Sequence, residues 1–337
     1  MNYTTISFPG LGLTMDPPQG FDLGPLYINL YGILIALGLM LAVVYACRRC
    51  TQFGLKEDDI LDGVLWVTPL AIVCARLYYV IFEWEQYAAD PISILYIWNG
   101  GLAIYGGVIG ALVGVAVLCK VKKIKLPALL DLVALGFLIG QAIGRWGNFF
   151  NREAFGREAT HFLRMGLERF AETIYVHPTF LYESLWNAAG FLLLHKLSKK
   201  RQYDGQIALG YVAWYGLGRA FIEGLRTDSL YWGPFRVSQL LAALSCVAAV
   251  IVLLLQQFKE HDPKDLLVNK PAEEKTEETE EATEETEEAT EETAEEAAEE
   301  VTETEEAAEE TAEEATEEAT EEAAEEAAEE TEEKTEE

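Results

Sequence analysis

The residues able to do chemistry gather in one run, Gly144-Arg145-Trp146-Gly147-Asn148-Phe149-Phe150-Asn151-Arg152-Glu153, followed by His177, by Tyr182-Glu183 and by Arg219, Glu223 and Arg226. Arginine offers a rigid planar fork suited to phosphate. Asparagine brings a donor and an acceptor together, and glycine lets backbone approach a ligand closely. Arg219, Glu223 and Arg226 stand at i, i+4 and i+7, one stripe of a helix. A plain Arg–Glu pair that lowers the cost of both charges is the bland reading of that stripe. The two histidines near the run, His161 and His177, have no ligand spacing, so no metal site is expected. No Gly-x-Ser-x-Gly elbow is present. The pattern points to phosphate binding without a metal.

The elements that must carry these residues are membrane spans. The chain of 337 residues has a net charge of −31, but residues 271–337 contain 35 Glu against 2 Lys. Residues 1–270 hold 23 basic and 21 acidic residues, so the acidity belongs to the tail alone. Nucleic acid is excluded as a partner, because no basic excess remains to make a face. A transmembrane helix needs about 20 mostly apolar residues. Residues 25–47, 100–119 and 237–258 meet that with no charged residue, and 62–82, 126–144, 178–197 and 205–223 with a few. The expected fold is therefore an all-α polytopic membrane protein with seven transmembrane helices. A soluble reading fails, because too little polar sequence remains to coat seven such segments.

Lys and Arg placement orients the spans. Fourteen basic residues follow spans one, three, five and seven, against seven on the other side. Basic loops stay cytoplasmic, so the N-terminus is expected outside and the C-terminus in the cytoplasm. No basic n-region with a small-residue cleavage site opens the chain, so no removable signal peptide is expected. The domain reading is an extracytoplasmic segment 1–24, a membrane body 25–258 with a small extracytoplasmic segment 145–177 between helices four and five, and a cytoplasmic tail 259–337. Its Glu/Ala/Thr repeats cannot bury enough surface to fold, and a solvating bristle is the plain reading. Cys47-x-x-Cys50 has no second ligand pair, and most of the five cysteines sit in or at span ends, where they act as small hydrophobes.

Ionisable residues inside a membrane are functional by default. With this orientation Tyr31, Arg76, Asn99, Tyr105, Arg145, His177, Glu183, Arg219 and Glu223 all fall at the outer ends of six spans. Asp131 and His195 fall toward the inner side and read as ordinary interfacial residues. A proton or ion pathway would spread carboxylates from face to face, and that spread is absent. The natural anion at this depth is a phospholipid headgroup.

The run Gly144-Arg145-x-Gly147-Asn148-Phe149-x-Asn151-x-Glu153-x-x-Gly156 resembles the signature of the prolipoprotein diacylglyceryl transferase family. Tyr31-Gly32, Trp98-Asn99-Gly100-Gly101, Gly106-Gly107, His177-Pro178-Thr179 with Leu181-Tyr182-Glu183, and Arg219 through Arg226 agree with it, over about residues 20–258. The resemblance implies a transferase of the bacterial cell (plasma) membrane. It would move the diacylglyceryl group of phosphatidylglycerol to the lipobox cysteine of prolipoprotein signal peptides, the first step of lipoprotein maturation. No cofactor and no metal are implied. Arg145 and Asn148 would hold the phosphatidylglycerol phosphate, with Arg219 helping. Glu153 and Glu223 would position the arginines or take the thiol proton, and Tyr31, Tyr105 and His177 form a second tier. Tyr105 stands where some relatives carry histidine. A phenol, with a reference pKa of about 10, is a poor base at neutral pH. The alternative from another class is a non-catalytic phospholipid-binding or transport protein using the same pocket.

The orientation has a direct check. A reporter fused after Lys259 is expected to be active only in the cytoplasm, and activity on the outer side would overturn the depth argument.

Overall fold

The computed structural model describes residues 5–24, 26–88, 90–97, 100–169, 172–227, 231–232 and 235–270; Asn99 and the tail 271–337 lie outside the described residues. The long helices are α1 (Leu30–Arg49), α2 (Glu57–Phe82), α4 (Ile104–Lys122), α5 (Leu126–Asn151), α6 (Thr179–Ser198), α7 (Gln206–Glu223) and α8 (Val237–Gln257), with a short α3 (Trp84–Tyr87) after α2. Local chemistry sets their ends. The Asn29 side chain accepts from the Tyr31 N–H at 2.9 Å and caps α1. Glu57, Asp58 and Asp59 fill the first turn of α2, where the helix dipole favours anions. Among the described residues, five helical stretches, Leu30–Phe53, Glu57–Phe82, Ile104–Lys122, Leu126–Asn151 and Val237–Gln257, are long and apolar enough to cross a membrane. The protein is a mostly helical, multi-pass membrane protein.

α1 packs along α5, α2 along α4, α7 along α8, and α6 lies against both α5 and α7. In lipid, apolar side chains gain nothing by leaving one oily surface for another, so helices join through small residues that let backbones close up. On α4, Gly106 and Gly110 do this. A Cβ on Gly106 would stand 2.4 Å from Tyr78, and one on Gly110 2.6 Å from Cys74 of α2. At one end of the bundle Phe53, Ile60, Leu118, Ile124, Leu132, Leu135, Ile207 and Leu267 form one apolar cluster joining α1, α2, α4, α5 and α7 to the segment after α8.

Asp131, expected to be an interfacial residue, is instead fully buried on α5. Its carboxylate accepts from the backbone N–H groups of Gly205, Ile207 and Ala208 at 2.8–2.9 Å. Those are orphan donors at the start of α7, so one side chain of α5 fixes where α7 begins. Between α6 and α7, Trp186 and Trp214 stack at 4.4 Å, and each indole N–H donates to the other's backbone carbonyl at 3.0 Å.

The all-α expectation is corrected outside the helical body. β1 (Ile6–Phe8) and β2 (Leu13–Met15) join β5 (Met165–Arg169) and β6 (Glu172–Val176) in an antiparallel sheet of order β2-β1-β5-β6. β3 (Gly20–Leu23) pairs with β4 (Leu26–Asn29), and β7 (Tyr231–Trp232) with β8 (Phe235–Arg236). The register Ile6↔Leu167 buries Ile6, Phe8, Met165, Leu167 and Val176 against Phe149 and Phe180. The segment 145–177 is thus not one loop. α5 runs on to Asn151 because Phe149 meets this small core and the helix closes only at Arg152, in the left-handed region at φ 54°. Arg152 is buried. It donates to Asp16 Oδ1 at 2.6 Å and to the Pro17 carbonyl at 2.7 Å, tying the N-terminal strands to the end of α5.

Asp131→Ala would leave three backbone N–H groups without their acceptor. The expected loss is on the order of 3 kcal/mol, read as a lower Tm in detergent. An unchanged Tm would show that α7 is positioned by packing alone.

Candidate active site

The site forms where the C-terminal end of α5, the N-terminal end of α6 and the C-terminal end of α7 meet. Glu183, in the second turn of α6, is 4% exposed and Glu223, at the end of α7, 2%. Arg145 Nη2 of α5 lies 2.7 Å from Glu183 Oε2. Arg219 Nη1 reaches Glu183 Oε1 at 3.4 Å while its Nη2 pairs with Glu223 Oε2 at 2.7 Å. Arg226 Nη1 lies 3.5 Å from Glu183 Oε1 and its Nε 3.8 Å from Glu223 Oε2. Arg236 donates to the backbone carbonyl of Glu223. Three guanidiniums therefore surround two buried carboxylates. The carboxylates lie beneath, at 5% and 2% side-chain exposure, and the arginines lie above, at 23%, 19% and 11%. The face that remains is cationic.

Arg226 is held in place by backbone. Gly156 bridges to Arg226, its N–H donates to the His177 carbonyl at 2.9 Å, and Arg157 N–H donates to the Leu225 carbonyl at 2.7 Å. A Cβ on Gly156 would sit 2.7 Å from His177 and 3.1 Å from the Leu225 carbonyl, which is the reason for glycine there. On α5, Arg145 Nη1 stands 3.5 Å from Asn148 Oδ1, and Asn148 and Asn151 both donate to Glu153 Oε1, at 3.0 and 3.2 Å. Tyr31 of α1 lies across Gly147, where any Cβ would come within 2.2 Å of its ring. Arg145, Asn148, Glu153 and Tyr31 thus gather around the last turns of α5.

His177 contacts the Nε2 of His161 through its Nδ1 at 3.1 Å, and Tyr182 Oη stands 3.0 Å from the same His161 nitrogen. Tyr182 precedes Glu183, so this cluster borders the arginines. Burial, then His161 and Arg157, hold the His177 pKa below its ordinary value.

Two residues from the expected convergence lie elsewhere. Arg76 does not face the cluster. Its guanidinium donates to the carbonyls of Ile94, Gly100 and Gly101 at 2.8 Å and of Ser93 at 2.9 Å, and it lies over the Tyr87 ring. It organises the loop before α4. Gly100 and Gly101 have φ of 89° and 72°, and a Cβ on Gly101 would stand 2.4 Å from Arg76 Nη1. Tyr105, on α4, is 52% exposed with its ring 6.4 Å from Tyr78.

A second polar layer, unmarked by any motif, lies one helical turn inward. Gln141 stands four residues before Arg145 on α5 and donates to Tyr211 Oη of α7 at 2.8 Å. Asn187, four residues after Glu183 on α6, is 2% exposed. Ser184 bonds the Ala142 carbonyl at 2.7 Å between them. Among the described residues, the buried oxygens Gln141 Oε1 and Asn187 Oδ1 have no hydrogen-bond partner.

Helices joined by small residues, with a cationic cluster over buried acids at one end, define a multi-pass membrane protein with one built, positively charged site. The chain belongs to the prolipoprotein diacylglyceryl transferase family, whose model matches residues 18–255. It is a transferase. Phosphatidylglycerol–prolipoprotein diacylglyceryl transferase of Listeria welshimeri is 42% identical over 262 residues, 75% of this chain and 95% of the relative. The enzymes of the same name from Limosilactobacillus reuteri and Bacillus cytotoxicus are 42% and 44% identical, over 72% and 70% of this chain and 92% and 90% of their own lengths.

A histidine with a lowered folded pKa binds its proton more weakly than the unfolded chain does. Stability from His177 is therefore complete above the reference value of about 6.5 and falls as pH drops through and below it. Tm is expected to decline from pH 7.5 to pH 5, and His177→Gln to flatten that decline. An identical slope in the variant would remove His177 as its source.

Proposed function

We propose that this chain transfers the diacylglyceryl group of phosphatidylglycerol to the lipobox cysteine of prolipoprotein signal peptides, at the outer face of the bacterial plasma membrane. The observation that carries the reading is the excess of guanidinium over buried carboxylate at the outer end of α5–α7. A phosphodiester is a monoanion, and a site with three such cations above two acids matches it in charge. The names of the relatives supply the two substrates. In this reading seven helices span the membrane, with the N-terminus outside and the C-terminus in the cytoplasm. α6 and α7 are less apolar because they bring Glu183, Arg219 and Glu223 to the site, paired within the bundle. Residues 25–258 are the transferase body, 1–24 and 145–177 its extracytoplasmic cover, and 259–337 a tail outside the catalytic unit.

The cysteine sulfur attacks the glycerol carbon that bears the phosphate. The C–S bond forms, the C–O bond breaks, and its electron pair leaves on the phosphate of glycerol phosphate. Thiolate is the nucleophile, so the thiol proton must go. Glu153, exposed beside Asn148, receives it and passes it to solvent. Arg145 and Arg219 hold the phosphate and meet the charge that grows on it, with Asn148 as a further donor. Glu223 positions Arg219. Tyr31 orients the headgroup over Gly147, His177 braces Tyr182, and the exposed ring of Tyr105 contacts lipid arriving from the bilayer. No step calls for a metal or cofactor.

The test is mass spectrometry of a lipobox peptide incubated with the full chain in phosphatidylglycerol vesicles. A gain of one diacylglyceryl group on cysteine is expected, and binding of lipid without that gain would favour the non-catalytic alternative. Arg145→Lys keeps the charge but loses the fork. A rate roughly 100–1000-fold lower is expected at matched membrane levels. A near-wild-type rate would take Arg145 out of the phosphate site.

A further inference from the structure

We infer that Asn187, with Gln141, forms the seat for the acceptor thiol, one helical turn inward from the phosphate site. The inference rests on the transfer reading for the identity of its ligand. Buried amide oxygens are nearly always hydrogen-bonded, and leaving one unpartnered is costly. Here Asn187 Oδ1 and Gln141 Oε1 both lack a partner among the described residues. Each sits one turn from a member of the ion-paired cluster: Gln141 from Arg145, Asn187 from Glu183. Those two cluster members are in contact at 2.7 Å, so the same faces of α5 and α6 carry both layers. Ser184 and Tyr211 bond to the neighbouring positions and close the layer on the α5 and α7 sides.

The reaction requires two sites at a set spacing. Displacement at carbon runs in line, with the sulfur opposite the departing phosphate oxygen. The sulfur therefore waits roughly one helical turn, about 5.4 Å, from the phosphorus. Gln141 stands one turn from Arg145, and Asn187 one turn from Glu183, the carboxylate that pairs with Arg145 and Arg219. The orphan acceptors need a donor. The diacylglycerol esters have none, whereas a thiol carries one S–H. Amide oxygens are too weakly basic to take the proton, so Asn187 is a positioning residue. It holds the S–H group in line and releases it when the proton leaves, through water, to Glu153 beyond the arginines.

The test uses two lipobox peptides, one with cysteine and one with 2-aminobutyrate, which replaces S–H by a methyl group of similar size. Binding to the full chain in vesicles lacking phosphatidylglycerol is measured by fluorescence anisotropy. The wild type is expected to prefer cysteine by about three- to tenfold, the range that relieving one buried acceptor supports. Asn187→Leu is expected to lose that preference and keep its KM for phosphatidylglycerol, while the peptide KM rises. Its Tm should hold or rise, since an apolar residue replaces an unpartnered oxygen. Gln141→Met serves as the second variant and should reduce the same preference. Equal binding of the two peptides by the wild type overturns the inference. So does a cysteine preference that survives in both variants. So does a fall in Tm with both KM values shifted together, the sign of a helix-packing role. Absence of thioether product from the wild type would instead overturn the transfer reading, and the peptide comparison reads out independently of it.

Discussion

The carboxylate of Glu183 is met by guanidiniums from three separate stretches of chain, Arg145 on α5, Arg219 on α7 and Arg226 beyond it. A lone carboxylate away from water is expensive, and three like cations brought together without it repel. Each side makes the other tolerable. The arrangement also explains the order of exposure, acids below and arginines above. Were the carboxylates exposed, a lipid phosphate would meet negative charge first. Much else in the fold serves this meeting. The Gly156 bridge aims Arg226, Asp131 sets the start of α7, and the small-residue contacts of α1 bring Tyr31 against α5.

The spans and the arginine–glutamate stripe were legible because both are local. Apolar runs announce helices, and i, i+4 spacing puts Arg219 and Glu223 on one face whatever surrounds them. The sheet was not legible. β1 pairs with β5 across some 160 residues of chain, and its short apolar stretch resembles the start of any loop. The length of α5 was hidden for a related reason. Gly144-Arg145 reads as a polar stop, but the helix persists because partners on α1, α6 and the sheet cover its last turns.

Depth alone proved a weak guide to which polar residues meet. Arg76 shares a level with Arg145, yet its partners are four carbonyls in the loop before α4. Charge and position could not separate an arginine that holds a loop from one that faces a ligand. The signal lay beside it, in Gly100-Gly101, whose left-handed backbone turns those carbonyls inward. Gln141 and Asn187 carried no motif, and only the packing of α5 on α6 and α7 shows them to be one turn from the cluster.

The Trp186–Trp214 pair has a mechanical consequence. Each indole grips the other helix's backbone, so the two bonds are related by an exchange of partners. Sliding α6 along α7 by even one residue's rise, about 1.5 Å, strains both bonds at once. The pair behaves as a shear pin between the helix that holds Glu183 and the helix that holds Arg219. α6 and α7 therefore move as one piece. The α2–α4 pair has no such pin among the described residues: it meets the other helices at α1 and through the apolar cluster of Phe53 and Leu118.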